Sequence, residues 1–156
     1  MSRSVKCRMG AIRVWAGVRS SPLRGVIHAA GIDSPISLTR MSAHDIDVMV
    51  APKAVGAWLL HERTQGLDLD LFVCFSSLAS VLGSQGRAHY GAANAFMDAL
   101  MLERRRAGKP GLSVNWGPWR GGGMAGEDQL AQFERIGNYG LDPDAALDLL
   151  EPLMSA

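Results

Sequence analysis

Short apolar segments alternate along the chain with longer segments whose apolar residues recur at helical spacing. Three β-rich runs have the length and composition of buried parallel strands: GVIHAAG at 25–31, LDLFVCF at 69–75 and LSVNW at 112–116. The pattern predicts a helix over 40–64, which kinks or restarts at Pro52, and a long helix over 87–107. Strands and helices that alternate with connections of this length predict right-handed βαβ units, and therefore an α/β fold with a parallel sheet.

Glycine-rich and polar stretches follow the third predicted strand. Residues 120–126 have the composition of a flexible loop. A helix is expected at about 127–136, and a last one over 143–154, which Asp142 and Pro143 begin. Both helices therefore follow the predicted strands along the chain.

Composition limits the class of protein. Apolar residues make up 47% of the 156 residues, enough for a packed core, and no apolar run approaches the length of a membrane span. The two cysteines cannot form a disulfide framework, and Cys74 within a predicted strand is expected to be a small core residue. This usage favours a reducing, cytoplasmic setting. The four histidines are scattered without metal-ligand spacing, so we expect no metal site.

Charge is unevenly distributed along the chain. The net charge is +1, but residues 1–24 carry six basic and no acidic side chains. A basic arm is able to bind nucleic acid or anionic lipid, or to act as a transit peptide. No stacking aromatics and no reading helix support a nucleic-acid partner. We therefore expect residues 1–21 to be an irregular basic leader without a role of its own, and we expect neither a nucleic-acid nor a membrane partner.

The segment FVCFSSLASVLGSQGRAHYGAANAFMDAL, residues 72–100, carries the candidate chemistry. It predicts a buried strand, a serine-bearing loop and a helix with Tyr90 and Asn94 one turn apart. Reduction of a ketone places negative charge on its oxygen, and Ser77 and Tyr90 are two donors that could be directed at that charge. A nearby ammonium such as that of Lys53 favours the phenolate form of a tyrosine. Taken one at a time, Tyr90 also fits a half-buried surface tyrosine, Ser77 a cap and Lys53 a solvated charge.

Five blocks of sequence together resemble a known family. They are PLRGVIHAAG at 22–31, PKAVGAWLLHE at 52–62, the segment at 72–100, RRAGKPGLSVNWGPW at 105–119 and GMA at 123–125. In order and spacing they resemble the ketoreductase domain of modular polyketide synthases, which belongs to the short-chain dehydrogenase/reductase superfamily. The YxxxN pattern alone is a weak signal, whereas the five blocks in combination are specific.

The resemblance implies a catalytic set of Lys53, Ser77, Tyr90 and Asn94. Ser77 matches the serine that hydrogen-bonds the substrate carbonyl, and Tyr90 matches the proton donor to the developing alkoxide. Lys53 and Asn94 match the remaining pair, with their positions exchanged relative to ordinary superfamily members. The resemblance also implies NADPH as the cofactor, beside residues at the ends of two strands: His28, Ala29, Ala30, Gly31, Gly117 and Pro118. The loop at 120–126, with the helix after it, resembles the family's mobile lid over the substrate.

One part of the family pattern is missing. The superfamily's glycine-rich phosphate loop should lie far upstream of HAAG, but Gly10, Gly17 and Gly25 are spread among arginines there. The sequence therefore predicts a partial Rossmann-like fold, a doubly wound parallel sheet that lacks the N-terminal dinucleotide-binding βαβ strands. Residues 22–156 would be the C-terminal part of a ketoreductase domain, in either a short protein or a truncated gene model. The first strand would then be an apolar sheet edge, and we expect this chain alone to bind NADPH poorly.

The predicted function is NADPH-dependent reduction of a β-ketoacyl thioester on an acyl carrier protein to the β-hydroxyacyl form, in polyketide or fatty acid biosynthesis. The alternative is a truncated, non-catalytic remnant or structural subdomain of such a domain. The expected partners are the carrier-bound substrate and other polyketide synthase domains. Product stereochemistry stays open, because GIDSPISL lacks the Leu-Asp-Asp block of one class and Leu82 stands where the other class has tryptophan.

Overall fold

The computed structural model describes residues 4–7, 10–13, 22–121 and 124–155. Its strands are β1 Ser4–Cys7, β2 Gly10–Arg13, β3 Gly25–His28, β4 Leu71–Ser77 and β5 Leu112–Trp116. Its α-helices are α1 Ala43–Val50, α2 Gly56–Arg63, α3 Ala79–Leu82, α4 Ala88–Arg106, α5 Glu127–Arg135, α6 Pro143–Asp148 and α7 Leu150–Ser155. The chain divides into two compact units, one ending at Val114 and the other beginning at Asn115.

A three-stranded sheet of order β3–β4–β5 lies at the centre of the fold. β3 runs parallel to β4, with Val26 opposite Phe72 and His28 opposite Cys74. The predicted α/β fold with a parallel, partial Rossmann-like sheet is therefore confirmed. β3 is an edge of this sheet, and its Ile27 side chain is 57% exposed. The strand ends at His28, and the small residues after it form the loop that follows.

Part of the segment predicted as an irregular leader is regular. β1 and β2 pair as an antiparallel two-stranded sheet in which Val5 lies opposite Ile12. The remaining residues of the predicted leader lie outside the described residues, and a domain boundary between residues 21 and 22 stays a prediction.

The helix predicted over 40–64 is divided at Pro52. A π-helical turn, Ala51–Val55, joins α1 to α2, with the proline in its first turn. Proline lacks a donor and its ring clashes with the preceding turn, and a widened turn relieves this without ending the helix. The turn directs Lys53 and Ala54 into the interior, where their exposures are 3% and 6%. The break that the sequence predicts therefore also positions a buried amine.

Helix α4 supplies one side of the core. Met97, Leu100 and Met101 lie on its buried face and pack in one cluster with Phe72 and Cys74 of β4. The expectation that Cys74 is a small core residue is confirmed. Burial raises the pKa of the Cys74 thiol to about 12, which keeps it protonated and inert at neutral pH.

Near the C-terminal end of α4, the buried Arg104 guanidinium lies 4.1 Å from the centre of the Phe72 ring. It also donates to the Pro110 carbonyl at 2.7 Å and to His61 Nδ1 at 3.0 Å. These contacts join α4 to β4, to α2 and to the loop that enters β5. Three arginines, at positions 104 to 106, lie in the last turn of α4, where positive charge is favourable against the helix dipole. Of these, Arg104 is buried and also holds neighbouring elements together.

The second unit contains the C-terminal helices. Asp142 accepts from the Ala145 amide at 3.0 Å and Pro143 occupies the first turn of α6, as the sequence predicts. The single helix predicted over 143–154 is wrong, because it divides into α6 and α7 at Leu149. Pro152 explains the division, since it cannot donate to the carbonyl of Asp148 and its ring would collide with it in a continuous helix.

Within residues 22–121 and 124–155, no helix is long and apolar enough to cross a membrane. Across the same described residues, no group of three or more histidine, cysteine, aspartate or glutamate side chains is arranged to hold a metal ion.

Candidate active site

Lys53 lies between the C-terminal end of β4 and the first turn of α4. Its Nζ donates to the Phe75 carbonyl at 3.2 Å. The same nitrogen lies 5.2 Å from the centre of the Tyr90 ring, within the range of a cation–π interaction. The amine and the aromatic ring, 37 positions apart in the sequence, are therefore brought together by the π-helical turn on one side and α4 on the other.

Burial controls the charge of this amine. Burial lowers the pKa of Lys53 to about 8, and nearby Cys74 and Asp98 oppose that shift only in part. At neutral pH the side chain is therefore still mainly an ammonium. An ammonium is thus held against the Tyr90 ring at neutral pH.

Asn94 lies one turn after Tyr90 on α4. Its Nδ2 donates to the Tyr90 backbone carbonyl at 2.8 Å. The backbone carbonyl of Asn94 accepts from the Ser76 hydroxyl of β4 at 3.4 Å. The side chain is fully buried, yet its Oδ1 has no hydrogen-bond partner in the described part of the chain. A buried acceptor without a partner is costly, and such a group suits a bound water or a ligand donor. This acceptor is therefore available to hold a water beside the candidate site.

Ser77 is the last residue of β4 and is partly exposed. Its hydroxyl accepts from the Ala79 amide at 3.2 Å, which is the cap-like contact that the sequence alone also allowed. The Ser80 hydroxyl lies 2.9 Å from the Ser77 carbonyl and donates to Asp98 of α4 at 2.6 Å. The end of β4 is thus fixed to α4 through Asp98, a residue that the sequence analysis did not single out.

The predicted cofactor residues at the end of β3 and in the loop after it differ in exposure. His28 points inward: it is 4% exposed, and its Nε2 donates to the Lys53 carbonyl at 3.0 Å. Burial lowers the pKa of this imidazole, which favours its neutral form. The His28 ring thus supports the turn that carries Lys53, and Ala29, which follows it, is exposed.

Gly31 touches the candidate site directly. A Cβ atom at this position would lie 2.8 Å from Lys53 Cε and 3.3 Å from its Nζ. A side chain here would therefore have to shift the end of the Lys53 side chain. Ala30 is partly buried beside it. The small residues Ala29 to Gly31 pass close to the Lys53 amine. Their size agrees with the expected close approach of a nicotinamide cofactor to this loop.

Gly117 and Pro118 follow β5 and belong to the second unit. The Pro118 carbonyl accepts from the Leu141 amide at 2.7 Å, and the Leu141 carbonyl accepts from the Arg120 amide at 2.9 Å. These bonds fix the turn within its own unit. The roles of Gly117 and Pro118 beside a cofactor, and of the loop 120–126 as a lid, stay predictions; Gly122 and Gly123 of that loop lie outside the described residues.

Two further charged residues flank the site without having been predicted. Arg87, immediately before α4, makes a two-pronged ion pair with Asp33 of the loop after β3, at 2.8 and 2.9 Å. The two residues are 54 positions apart and lie in no periodic pattern. An arginine at the start of a helix, where the dipole disfavours a cation, was the one available signal.

Known proteins resemble the chain over most of its length. The family model described as "KR domain" matches residues 5–121. Among curated proteins, the chain is 41% identical over 138 residues to the phenolphthiocerol synthesis polyketide synthase type I Pks15/1 of Mycobacterium marinum, covering 86% of this chain and 7% of that protein. It is 40% identical over 163 aligned positions to the spectinabilin polyketide synthase system protein NorB of Streptomyces orinoci. The match covers 99% of this chain and 8% of that protein.

Solved structures show the same relationship. The ketoreductase from the first module of phoslactomycin biosynthesis in Streptomyces sp. HK803 aligns with a TM-score of 0.81 and 41% identity, over 85% of this chain and 31% of that one. A structure described as A-type ketoreductases from a modular polyketide synthase aligns with a TM-score of 0.82 and 38% identity, over 86% and 29%. The chain therefore spans about three tenths of these solved chains and less than a tenth of the two curated relatives.

Proposed function

Because the chain belongs to the ketoreductase (KR) domain family of polyketide synthases, we propose that it carries the catalytic half of a domain that reduces a β-ketoacyl thioester to the β-hydroxyacyl form. The substrate is held on an acyl carrier protein and the reductant is NADPH. The observation that carries the proposal is the Lys53 amine, buried and 5.2 Å from the centre of the Tyr90 ring.

The proposed chemistry assigns one task to each side chain. As the ketone is reduced, its oxygen becomes an alkoxide, and the Tyr90 phenol donates the proton that neutralises it. The Ser77 hydroxyl donates a hydrogen bond to the same oxygen and so stabilises its developing charge. The Lys53 ammonium stabilises the phenolate that remains on Tyr90, and Asn94 Oδ1 accepts from a water through which the proton is replaced. Lys53 and Asn94 act from buried positions, where electrostatic interactions are stronger than in water.

NADPH, when bound, supplies the reducing equivalent that adds to the ketone carbon. The residues proposed to lie against it are those of the loop after β3, Ala29 to Gly31. Their small size supports this assignment, because it lets a cofactor approach the backbone closely.

A segment-replacement chimera tests the proposal. Residues 22–156 of this chain would replace the matching segment of the phoslactomycin first-module ketoreductase, which supplies the rest of the domain. We expect the chimera to oxidise NADPH in the presence of a β-ketoacyl thioester on acyl carrier protein, and more slowly with the same thioester on a short pantetheine mimic. A chimera that folds and binds NADPH without reducing either thioester would contradict the proposal and favour the alternative, a non-catalytic remnant.

A further inference from the structure

The loop after β3 is attached to the start of α4 by two independent contacts. The Arg87 guanidinium donates through Nε and an Nη nitrogen to both carboxylate oxygens of Asp33, and both side chains are less than one-fifth exposed. One residue earlier, the Gly86 carbonyl accepts from the Ile36 amide at 2.8 Å. Gly86 has φ of +68°, a conformation that suits glycine and lets the carbonyl face the loop.

Helix stability does not explain the arginine. Arg87 is the N-terminal cap residue of α4, and its side chain makes no capping hydrogen bond. A cation at a helix N-terminus is electrostatically unfavourable, and residues with a short acceptor side chain are preferred there. The Asp33 carboxylate offsets that cost, and a two-pronged arginine–carboxylate contact fixes distance and orientation as a single-point contact does not.

The ion pair completes a closed circuit of contacts around the candidate site. From Lys53, the circuit passes to Gly31, which its side chain touches, and two residues on to Asp33. It then crosses to Arg87 and returns three residues later to Tyr90, whose ring faces the Lys53 amine. Hydrogen bonds to Asp33 raise the pKa of Arg87. The pair therefore joins the two chain segments that carry Gly31 and Tyr90.

We propose that the Asp33–Arg87 ion pair is a positioning clamp, which holds the loop after β3 against the first turn of α4 and so sets the separation between the Lys53 amine and the Tyr90 ring. The clamp touches neither of those two groups directly, and its importance for reduction rests on the proposed function. Its effect on geometry is independent of that function, because the separation between the Lys53 amine and the Tyr90 ring is measurable in the chain without turnover.

The test uses the full chain with isotope-labelled lysine and NMR spectroscopy. Lys53 Nζ lies over the Tyr90 ring, so the protons on the adjacent Cε should show an upfield ring-current shift and a cross-relaxation signal to the Tyr90 ring protons. Asp33→Asn and Arg87→Gln each remove the charged pair, and we expect both to lose the shift and the cross-relaxation signal. The exchanged pair Asp33→Arg with Arg87→Asp restores opposite charges and should regain part of both.

The matched control is Glu103→Gln, which removes the exposed ion pair of Glu103 with Arg106 near the other end of the same helix. It should leave the Lys53 signals unchanged. If Asp33→Asn fails to fold, Arg87→Lys keeps the charge but loses the two-pronged geometry, and it should show a partial loss of the ring-current shift. A folded Asp33→Asn or Arg87→Lys variant with wild-type Lys53 signals would overturn the clamp. The clamp would also be overturned if the exchanged pair regained no more of the Lys53 signals than the single variants, or if Glu103→Gln lost those signals to the same extent. Absence of reductase activity in the chimera would leave these signals unaffected and would count against the proposed function alone.

Discussion

Lys53→Met should abolish a rise in stability that the wild-type chain shows above neutral pH. The folded-state pKa of Lys53 is about 8, against 10.5 for an ordinary lysine. Between these values the unfolded chain binds more protons than the folded chain, so the free energy of unfolding increases with pH. Methionine fills a similar volume but does not titrate, and the corresponding increase is lost.

The expected magnitude follows from the two pKa values. From pH 7 to pH 9 the Lys53 contribution is about 1.3 kcal/mol, and over the whole window it approaches ~3 kcal/mol. Cys74 acts in the opposite direction, because burial raises its pKa from 9.0 to about 12 and the unfolded chain then loses its thiol proton first. Cys74 is present in both proteins, and the Lys53 charge lowers its pKa, so the difference between wild type and Lys53→Met reports the amine together with its effect on that thiol.

Urea unfolding followed by tryptophan fluorescence at pH 7, 8 and 9 gives the required free energies. Lys109→Met serves as the control, because that amine donates to the Gln65 carbonyl at 2.9 Å, outside the site, and the variant should keep the wild-type pH dependence. If wild type and Lys53→Met showed parallel pH dependence, the amine would not be buried beside Tyr90, and the reasoning about the site would fail.

Three further predictions concern the surroundings of this amine. Burial lowers the folded-state pKa of His28, so acid below pH 6.5 favours the unfolded chain. His28→Asn keeps a donor for the Lys53 carbonyl but does not titrate, and it should therefore weaken the loss of stability on acidification. Measuring the free energy of unfolding as a function of acid pH checks this. Phe72→Ala should lower the free energy of unfolding by about 3–5 kcal/mol, whereas Phe96→Ala, at a side chain 41% exposed, should cost far less in the same urea assay. Gly31→Ala should displace the Lys53 NMR signals, because the added Cβ pushes against the end of that side chain, while Gly66→Ala, where a Cβ meets nothing within 4 Å, should leave them unchanged.

The sequence predicts well those features that depend on local periodicity. The β-rich runs and the apolar face of α4 indicate the sheet and its main helix to within a few residues, because burial on one face imposes a repeat that is visible in the sequence. Pro52 signals a break, but the sequence cannot specify that the break is a π-helical turn directing Lys53 inward. Likewise, Pro152 carries the signal that divides α6 from α7, and helical periodicity alone overlooks it.

Contacts between distant segments escape this kind of prediction. The alternation along β3 places Val26 and His28 inside and Ile27 outside, which explains why the His28 ring faces Lys53 rather than the loop edge expected for a cofactor residue. The pairing of Asp33 with Arg87 depends on how two loops meet, and no repeat in either segment encodes it. Asp98 likewise gains its significance only from the hydroxyls that the fold brings to it.

The central claim is that Tyr90, beside the Lys53 ammonium, donates the proton in ketone reduction. The chain contains only two tyrosines, and the other, Tyr139, is 66% exposed, which provides a matched control. In the chimera, Tyr90→Phe should lower kcat by about 10²–10⁴-fold with little change in KM for the thioester, whereas Tyr139→Phe should leave both unchanged. A Tyr90→Phe chimera that reduces the thioester as fast as its Tyr139→Phe counterpart would contradict the account.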